Sequence, residues 1–172
     1  PNTPATSNAP WRTGKGYLYE GGLRVPAIVR WPERIAAGRV SAVPVTTADW
    51  RPTLLALAGV APETSAVADG VSLDRLLRED IAPVRDALFW HYPHYSNQGG
   101  RPGGAIREGD WKLIEHYESG YLELFHLADD PGETNNRAGA LPEKANAMAK
   151  KLADWRQTLQ AQMMTVNPDY VP

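Results

Sequence analysis

The chain has 172 residues, a net charge of −2, 42% hydrophobic and 22% charged residues, and no cysteine. This balance suits a folded chain of one domain's size, the scattered Lys and Arg form no nucleic-acid footprint, and no apolar run nears the roughly 18 residues that span a bilayer, so neither nucleic acid nor a membrane is an expected partner. The lack of cysteine excludes disulfides, thiolate metal sites and cysteine nucleophiles while leaving the compartment open.

In chain order, Pro1 to Arg12 is rich in Pro, Asn, Thr and Ser without apolar period and reads as a loop, an unlikely natural beginning. Val25 to Trp31 is a short, mostly apolar run between Gly and Pro, the pattern of a strand buried on both faces. Thr46 to Gly59 has an N-cap signal, apolar residues Trp50, Leu54, Leu55, Leu57 and Ala58 at helical spacing, and a closing glycine, and is predicted as a helix. A short helical turn is expected over Leu73 to Leu77, behind Asp69-Gly70 and with Ser72 as its cap.

From Arg85 the pattern changes. Ala87 to Tyr92, Gly104 to Arg107, Trp111 to Tyr117 and Tyr121 to Leu127 are short, aromatic or β-branched, and separated by turn residues, which predicts an antiparallel meander. Leu141 to Gln160 places Ala145, Met148, Leu152 and Trp155 at helical spacing with Pro142 in the first turn, which predicts an amphipathic helix lying on that sheet. The break near Ala82-Pro83 suggests two parts, residues 1–84 and 85–172.

Lys15, between two glycines, is the leading candidate for chemistry: the glycines let backbone approach a ligand and the ammonium can face an oxyanion. The tripeptide alone reads more readily as a solvated loop lysine beside turn glycines. His91 and His94, in an aromatic, Gly-rich loop running to Gly100, are candidates for binding a sugar or sulfate edge; histidines hydrogen-bonded at a strand end are the bland alternative, and no ligand spacing supports a metal there. Glu20 and Arg24 are expected to pair beside the glycine turn. Arg107, Asp110 and Lys112 are expected on a solvated face, His116 and His126 as structural residues, and Trp31, Trp50, Trp111 and Trp155 in the core.

The run from Gly14 to Pro26 (GKGYLYEGGLRVP) resembles a signature of the sulfatase family. In that family's order follow Ala48-Asp49 with Pro52 to Gly59, Asp69 to Leu73, Ile106 to Ile114, Glu123 to Phe125 and Asp129 to Asn136, so the resemblance covers almost the whole chain. It implies the C-terminal fragment of an α/β, alkaline-phosphatase-like fold: the last strand and helices of the large domain (1–84), then a small four-stranded antiparallel sheet with a packed C-terminal helix (85–172). It also implies that Lys15 contacts sulfate oxygens and that the substrate is a sulfate ester, including sulfated glycans, with the His91 to Gly100 loop near the pocket. For the intact family enzyme it implies calcium and a formylglycine made within a Cys/Ser-x-Pro-x-Arg motif, neither of which has its residues here. The expected partner is therefore a missing N-terminal part of the same enzyme; without it the chain should be inactive, and an exposed edge at Val25 to Trp31 should favour self-association. A non-catalytic glycan-binding module and a phosphoryl-transfer relative are the rival readings.

Overall fold

The computed structural model describes residues 7–61 and 70–169. In chain order it has a single turn α1 (Glu20–Leu23), a 3₁₀ turn (Thr47–Asp49) leading into α2 (Trp50–Leu57), then α3 (Asp74–Glu79), β1 (Leu88–Tyr92), β2 (Gly103–Glu108), β3 (Trp111–His116), β4 (Tyr121–His126) and α4 (Pro142–Thr158). These fall into two compact units, one combining residues 7–25 with 86–169 and the other comprising 26–85. The N-terminal segment thus groups with the sheet, a difference from a simple division at residue 84 that arises from its side-chain contacts there.

In the first unit the four strands form an antiparallel sheet in the order β1-β2-β3-β4. Glu108 pairs with Trp111 across a two-residue link and His116 with Tyr121 across four, so short turns set the register. Side chains alternate between faces along a strand, and both faces are covered. Ile106, Leu113 and Leu124 stand opposite one another on one face and pack against Ala145, Met148 and Leu152 of α4. Ala105, Ile114 and Phe125 on the other pack with Leu18, Tyr19 and Trp90. Pro142 occupies the first turn of α4, where its missing N–H costs nothing, and Trp155 stacks on Phe89 with ring centroids 4.9 Å apart.

The second unit is held by a polar lock more than by a core. Thr46 and Asp49 form a capping box: the Asp49 carboxylate accepts from Thr46 N–H at 2.8 Å, and the Thr46 hydroxyl accepts from Ala48 N–H at 3.4 Å. Asp49 is fully buried, accepts from Val71 N–H at 2.9 Å and pairs with Arg85. The Thr53 hydroxyl donates to the Asp49 carbonyl at 2.5 Å and accepts from Leu73 N–H at 2.8 Å, fastening α2 to the start of α3. The carbonyls at the end of α3 are met by Arg39, which donates to Leu76 at 2.7 Å and Leu77 at 2.9 Å. Ser72 accepts from Asp74 N–H at 3.3 Å, whereas Asp69 lies outside the described residues.

Two expectations in this unit fail. Val25 to Trp31 forms no strand; Ile28 is 93% exposed and Trp31 38% exposed, so neither is core. An apolar run becomes a strand only by pairing its N–H and C=O groups with another edge, and Val25 to Trp31 pairs with none of the four strands, which form one open sheet in the order β1-β2-β3-β4. The helix at α2 forms, but Thr53 is its buried residue and Leu54 is largely exposed.

Candidate functional site

Lys15 sits in a turn closed by Tyr17 N–H donating to the Gly14 carbonyl at 3.2 Å. Its side chain is exposed and makes no hydrogen bond or ion pair among the described residues. The loop after β1 folds back through Ser96 N–H to Gly100 carbonyl at 2.8 Å and Gly99 N–H to Ser96 carbonyl at 3.0 Å. Turn and loop meet backbone to backbone: a Cβ on Gly100 would fall 1.6 Å from the Gly16 carbonyl oxygen, and one on Gly16 would fall 2.3 Å from Ser96 Oγ. Only glycine permits that approach, so the fold brings the lysine turn against the histidine-bearing loop.

The two histidines differ in their surroundings. His91 is held on both sides, with Nδ1 2.6 Å from the Tyr117 hydroxyl and Nε2 2.8 Å from the Gln162 carbonyl. His94 is exposed, edge-on to the Tyr92 ring at 5.7 Å.

Behind the lysine turn lies a buried charge cluster. Lys112 is completely buried, with Nζ 2.9 Å from Glu20 Oε1 and 2.9 Å from Glu133 Oε1. Glu20 N–H donates to Glu133 Oε2 at 2.6 Å, and Arg107 lies 3.7 Å from Glu20 Oε2. Two carboxylates thus face two cations, which offsets much of the cost of taking charges out of water. Burial pushes the Glu133 carboxyl above its ordinary pKa, against the pull of Lys112. This corrects two expectations: Glu20 pairs with Lys112, not Arg24, whose guanidinium instead lies 4.1 Å above the Trp11 ring, and Lys112 belongs to no solvated face.

A second network runs along the same sheet face. Glu123 accepts from the Tyr19 hydroxyl at 2.6 Å, meets His116 Nε2 at 2.8 Å and lies 3.4 Å from Arg12. Burial works to raise the Glu123 pKa, but the His116 and Tyr19 hydrogen bonds and the Arg12 charge outweigh it and hold the carboxyl below its ordinary value. The Tyr19 hydroxyl is pushed up, first by burial and then by its bond to Glu123.

The Asp129 to Asn136 motif proves architectural. Asp130 accepts from the Thr134 and Asn135 N–H groups at 3.0 and 2.9 Å, shaping the loop that delivers Glu133 to Lys112. Asn136 accepts from Leu124 N–H at 2.9 Å and donates to the Leu122 carbonyl at 3.1 Å, tying that loop to β4. His126 meets Asp129 at 2.6 Å.

Among the described residues no group of three or more His, Asp or Glu side chains is arranged to hold a metal ion. The sequence has no cysteine and no Ser-x-Pro-x-Arg run, so it does not supply a formylglycine, and the described residues do not fit a calcium ion.

The model of the family described as "N-sulphoglucosamine sulphohydrolase, C-terminal" matches residues 11–162. A sulfatase of Formosa agariphila is 38% identical over 167 residues, covering 87% of this chain and 30% of that protein. Among solved structures, Ps i-CgsB in complex with k-i-k-neocarrahexaose superposes with a TM-score of 0.72 at 28% identity, over 87% of this chain and 32% of that one. BT4656 in complex with its substrate D-glucosamine-2-N,6-O-disulfate gives 0.66 at 28% identity, over 77% and 28%. The chain thus spans about a third of the length of the relatives it matches, and its helices, antiparallel sheet and packed terminal helix are the C-terminal architecture of an alkaline-phosphatase-like enzyme. On these matches the chain belongs to the N-sulphoglucosamine sulphohydrolase C-terminal family of sulfatases.

Proposed function

We propose that this chain is the C-terminal portion of a sulfate-ester hydrolase and supplies Lys15 to the sulfate. The observation that carries the reading is the exposed Lys15, unpaired among the described residues, on a turn braced twice: by the Gly100 loop at its side and by the buried Glu20–Lys112–Glu133 cluster behind it. A lysine with no partner of its own, on a backbone that cannot shift freely, is a preorganised cation for an oxyanion. In this reading His94, exposed on the adjoining loop, meets the alcohol part of the ester; His91 is the loop's anchor at the strand end and brings the loop to the substrate. The glycan ligands of the solved relatives support a sulfated sugar as substrate.

The nucleophile and the metal ligands come from the missing N-terminal part of the enzyme, since the sequence holds no formylglycine motif and the described residues hold no metal group, and the isolated chain is accordingly inactive. Its exposed Val25 and Ile28 support a surface covered by that part and, in its absence, prone to self-association. In that enzyme residues 1–84 end the large domain and 85–172 form the small one, with the segment 7–25 reaching over to pack on the small domain's sheet.

The test uses the intact protein with 4-nitrophenyl sulfate and 4-nitrophenyl phosphate. Preferential turnover of the sulfate, with kcat/KM lowered about 100- to 1,000-fold by Lys15→Ala, is the expected result, in line with removal of one preorganised oxyanion contact. Preferential turnover of the phosphate would favour the phosphoryl-transfer reading. Glycan binding without turnover of either ester would favour a non-catalytic module.

A further inference from the structure

The sheet face that carries Lys112 also carries an open cavity of about 640 Å³, with Arg12, Arg101, His116, Glu118, Tyr121 and Glu123 in its wall. Lys15, His91 and His94 do not line it, although Tyr17 of the lysine turn and Gly99 of the adjoining loop do, so it borders the proposed sulfate contact without including it. Its back is already built. Glu123 is occupied by Tyr19, His116 and Arg12, while Arg12 also donates to the Glu133 carbonyl at 2.8 Å and stacks 3.8 Å above the Tyr19 ring. The negative charge at the back is therefore spent on internal partners.

The mouth is different. Arg101 is exposed and has no hydrogen bond or ion pair among the described residues. Tyr121 is 56% exposed and lies at 30° to the His116 ring, 5.9 Å away, which holds its ring in place at the mouth. Glu118, which accepts from the Tyr95 hydroxyl, adds a carboxylate to the same wall. An inorganic anion would gain from Arg101 but meet the repulsion of Glu118. A ring bearing both hydroxyls and an acidic group satisfies all three: hydroxyls donate to Glu118, the acidic group pairs with Arg101, and the ring's C–H face packs on Tyr121.

We propose that this cavity is a subsite for an acidic sugar ring, with Arg101 pairing the anionic group and Tyr121 stacking on the ring. The subsite extends the hydrolase reading by giving that enzyme a hold on a saccharide at a place other than the sulfate under attack. It selects charged oligosaccharides over small aryl esters.

The experiment is calorimetric titration of the intact protein with a panel of oligosaccharides: chondroitin-6-sulfate, heparan-sulfate and carrageenan tetrasaccharides, each beside its neutral counterpart, desulfated and, for the two that contain uronic acid, also carboxyl-reduced. At least one acidic member binds, its neutral counterpart binds at least tenfold more weakly, and Arg101→Ala and Arg101→Glu weaken the acidic member about tenfold or more, as loss of a charged hydrogen bond would. Lys150→Ala, an exposed cation elsewhere in the same unit that pairs with Asp154, leaves the affinity unchanged. Binding by no acidic member, equal binding of the neutral forms, or wild-type affinity in Arg101→Glu each overturns the subsite. Turnover of 4-nitrophenyl sulfate in the same preparation reads the hydrolase separately: turnover without saccharide binding removes the subsite and keeps the hydrolase, and binding without turnover does the reverse.

Discussion

Residues 86–169 bury apolar side chains on both faces of a sheet, whereas the described residues of 26–85 carry most of theirs outside. Of the twelve buried apolar residues among those described, only Leu73 and Leu76 lie in the second unit. That unit instead exposes Ile28, Val40, Leu54, Val60 and Val84, and an apolar cavity of about 600 Å³ opens between Ile28, Trp31, Trp50 and Leu76. What orders it is the Asp49 and Thr53 hydrogen-bond set. The first unit completes its own core; the second has the local geometry of a folded element without apolar cover. Cooperative stability should therefore reside in the first.

The largest effect that would test this contrast is on the charge cluster. Lys112→Met keeps the volume but strands Glu20 and Glu133, which lie within a largely dry interior. Removing one partner of a buried ion pair costs about 3–5 kcal/mol. Urea denaturation should show a loss of this order, and a loss under about 1 kcal/mol would mean that water reaches the cluster. Leu152→Ala comes next. Leu152 is fully buried between α4 and the sheet, so the change removes both transfer energy and packing, about 2–4 kcal/mol. A cost this large belongs to the self-contained unit; a near-neutral result would place the core elsewhere.

How legible was this contrast in the chain? The meander was, because its strands are short runs set off by turn residues and the β2–β3 and β3–β4 links, of two and four residues, are too short to allow another register. The helix α4 was too, since Ala145, Met148 and Leu152 recur at its period. The strand expected at Val25 to Trp31 was not, because propensity is local and a ladder needs an edge from elsewhere. Lys112 was misjudged for a related reason. Alternating charges suggested a wet face, yet the adjacent apolar pairs Leu113-Ile114 and Leu124-Phe125 put apolar side chains on both faces, a sign that the charged face too was covered. Which segment covers it, residues 12–20 with the Glu133 loop, is long-range information. At the site, Lys15 and the His91 to Gly100 loop could each be singled out, but their contact through Gly16 and Gly100 could not. The Arg12–Tyr19–Glu123–His116 network had no sequence signal beyond the shared parity of Lys112, Ile114 and His116 along β3.

A smaller effect sharpens the comparison through pH. Glu123 has a folded-state pKa below its ordinary 4.5, so the stability it contributes is fully present above that value and is lost as pH falls through the lower, folded value. Glu123→Gln should cost about 1–2 kcal/mol at pH 7 through weakened hydrogen bonding. The gap to the parent should narrow as pH drops below 4.5, because the parent then also loses the charge. Parallel stability curves for parent and variant between pH 7 and pH 3 would show that the carboxylate is not the charged partner of His116 and Arg12.

The smallest change in folding energy probes the second unit. Ile28 is 93% exposed, so Ile28→Asp removes almost no buried area and should shift stability by no more than about 0.5 kcal/mol. The effect should appear in association instead. An apolar surface made of Ile28 and its neighbours gains by burial against a second copy, at about 25 cal/mol per Å² removed from water, while an aspartate there would have to be desolvated on contact. Sedimentation velocity of the 172-residue chain should therefore show self-association that Ile28→Asp reduces, with an unchanged denaturation midpoint. If the parent chain sediments as a monomer at tens of micromolar, this unit tolerates its exposed apolar side chains in water, and the contrast with the sheet unit lies in packing alone, without consequence for association.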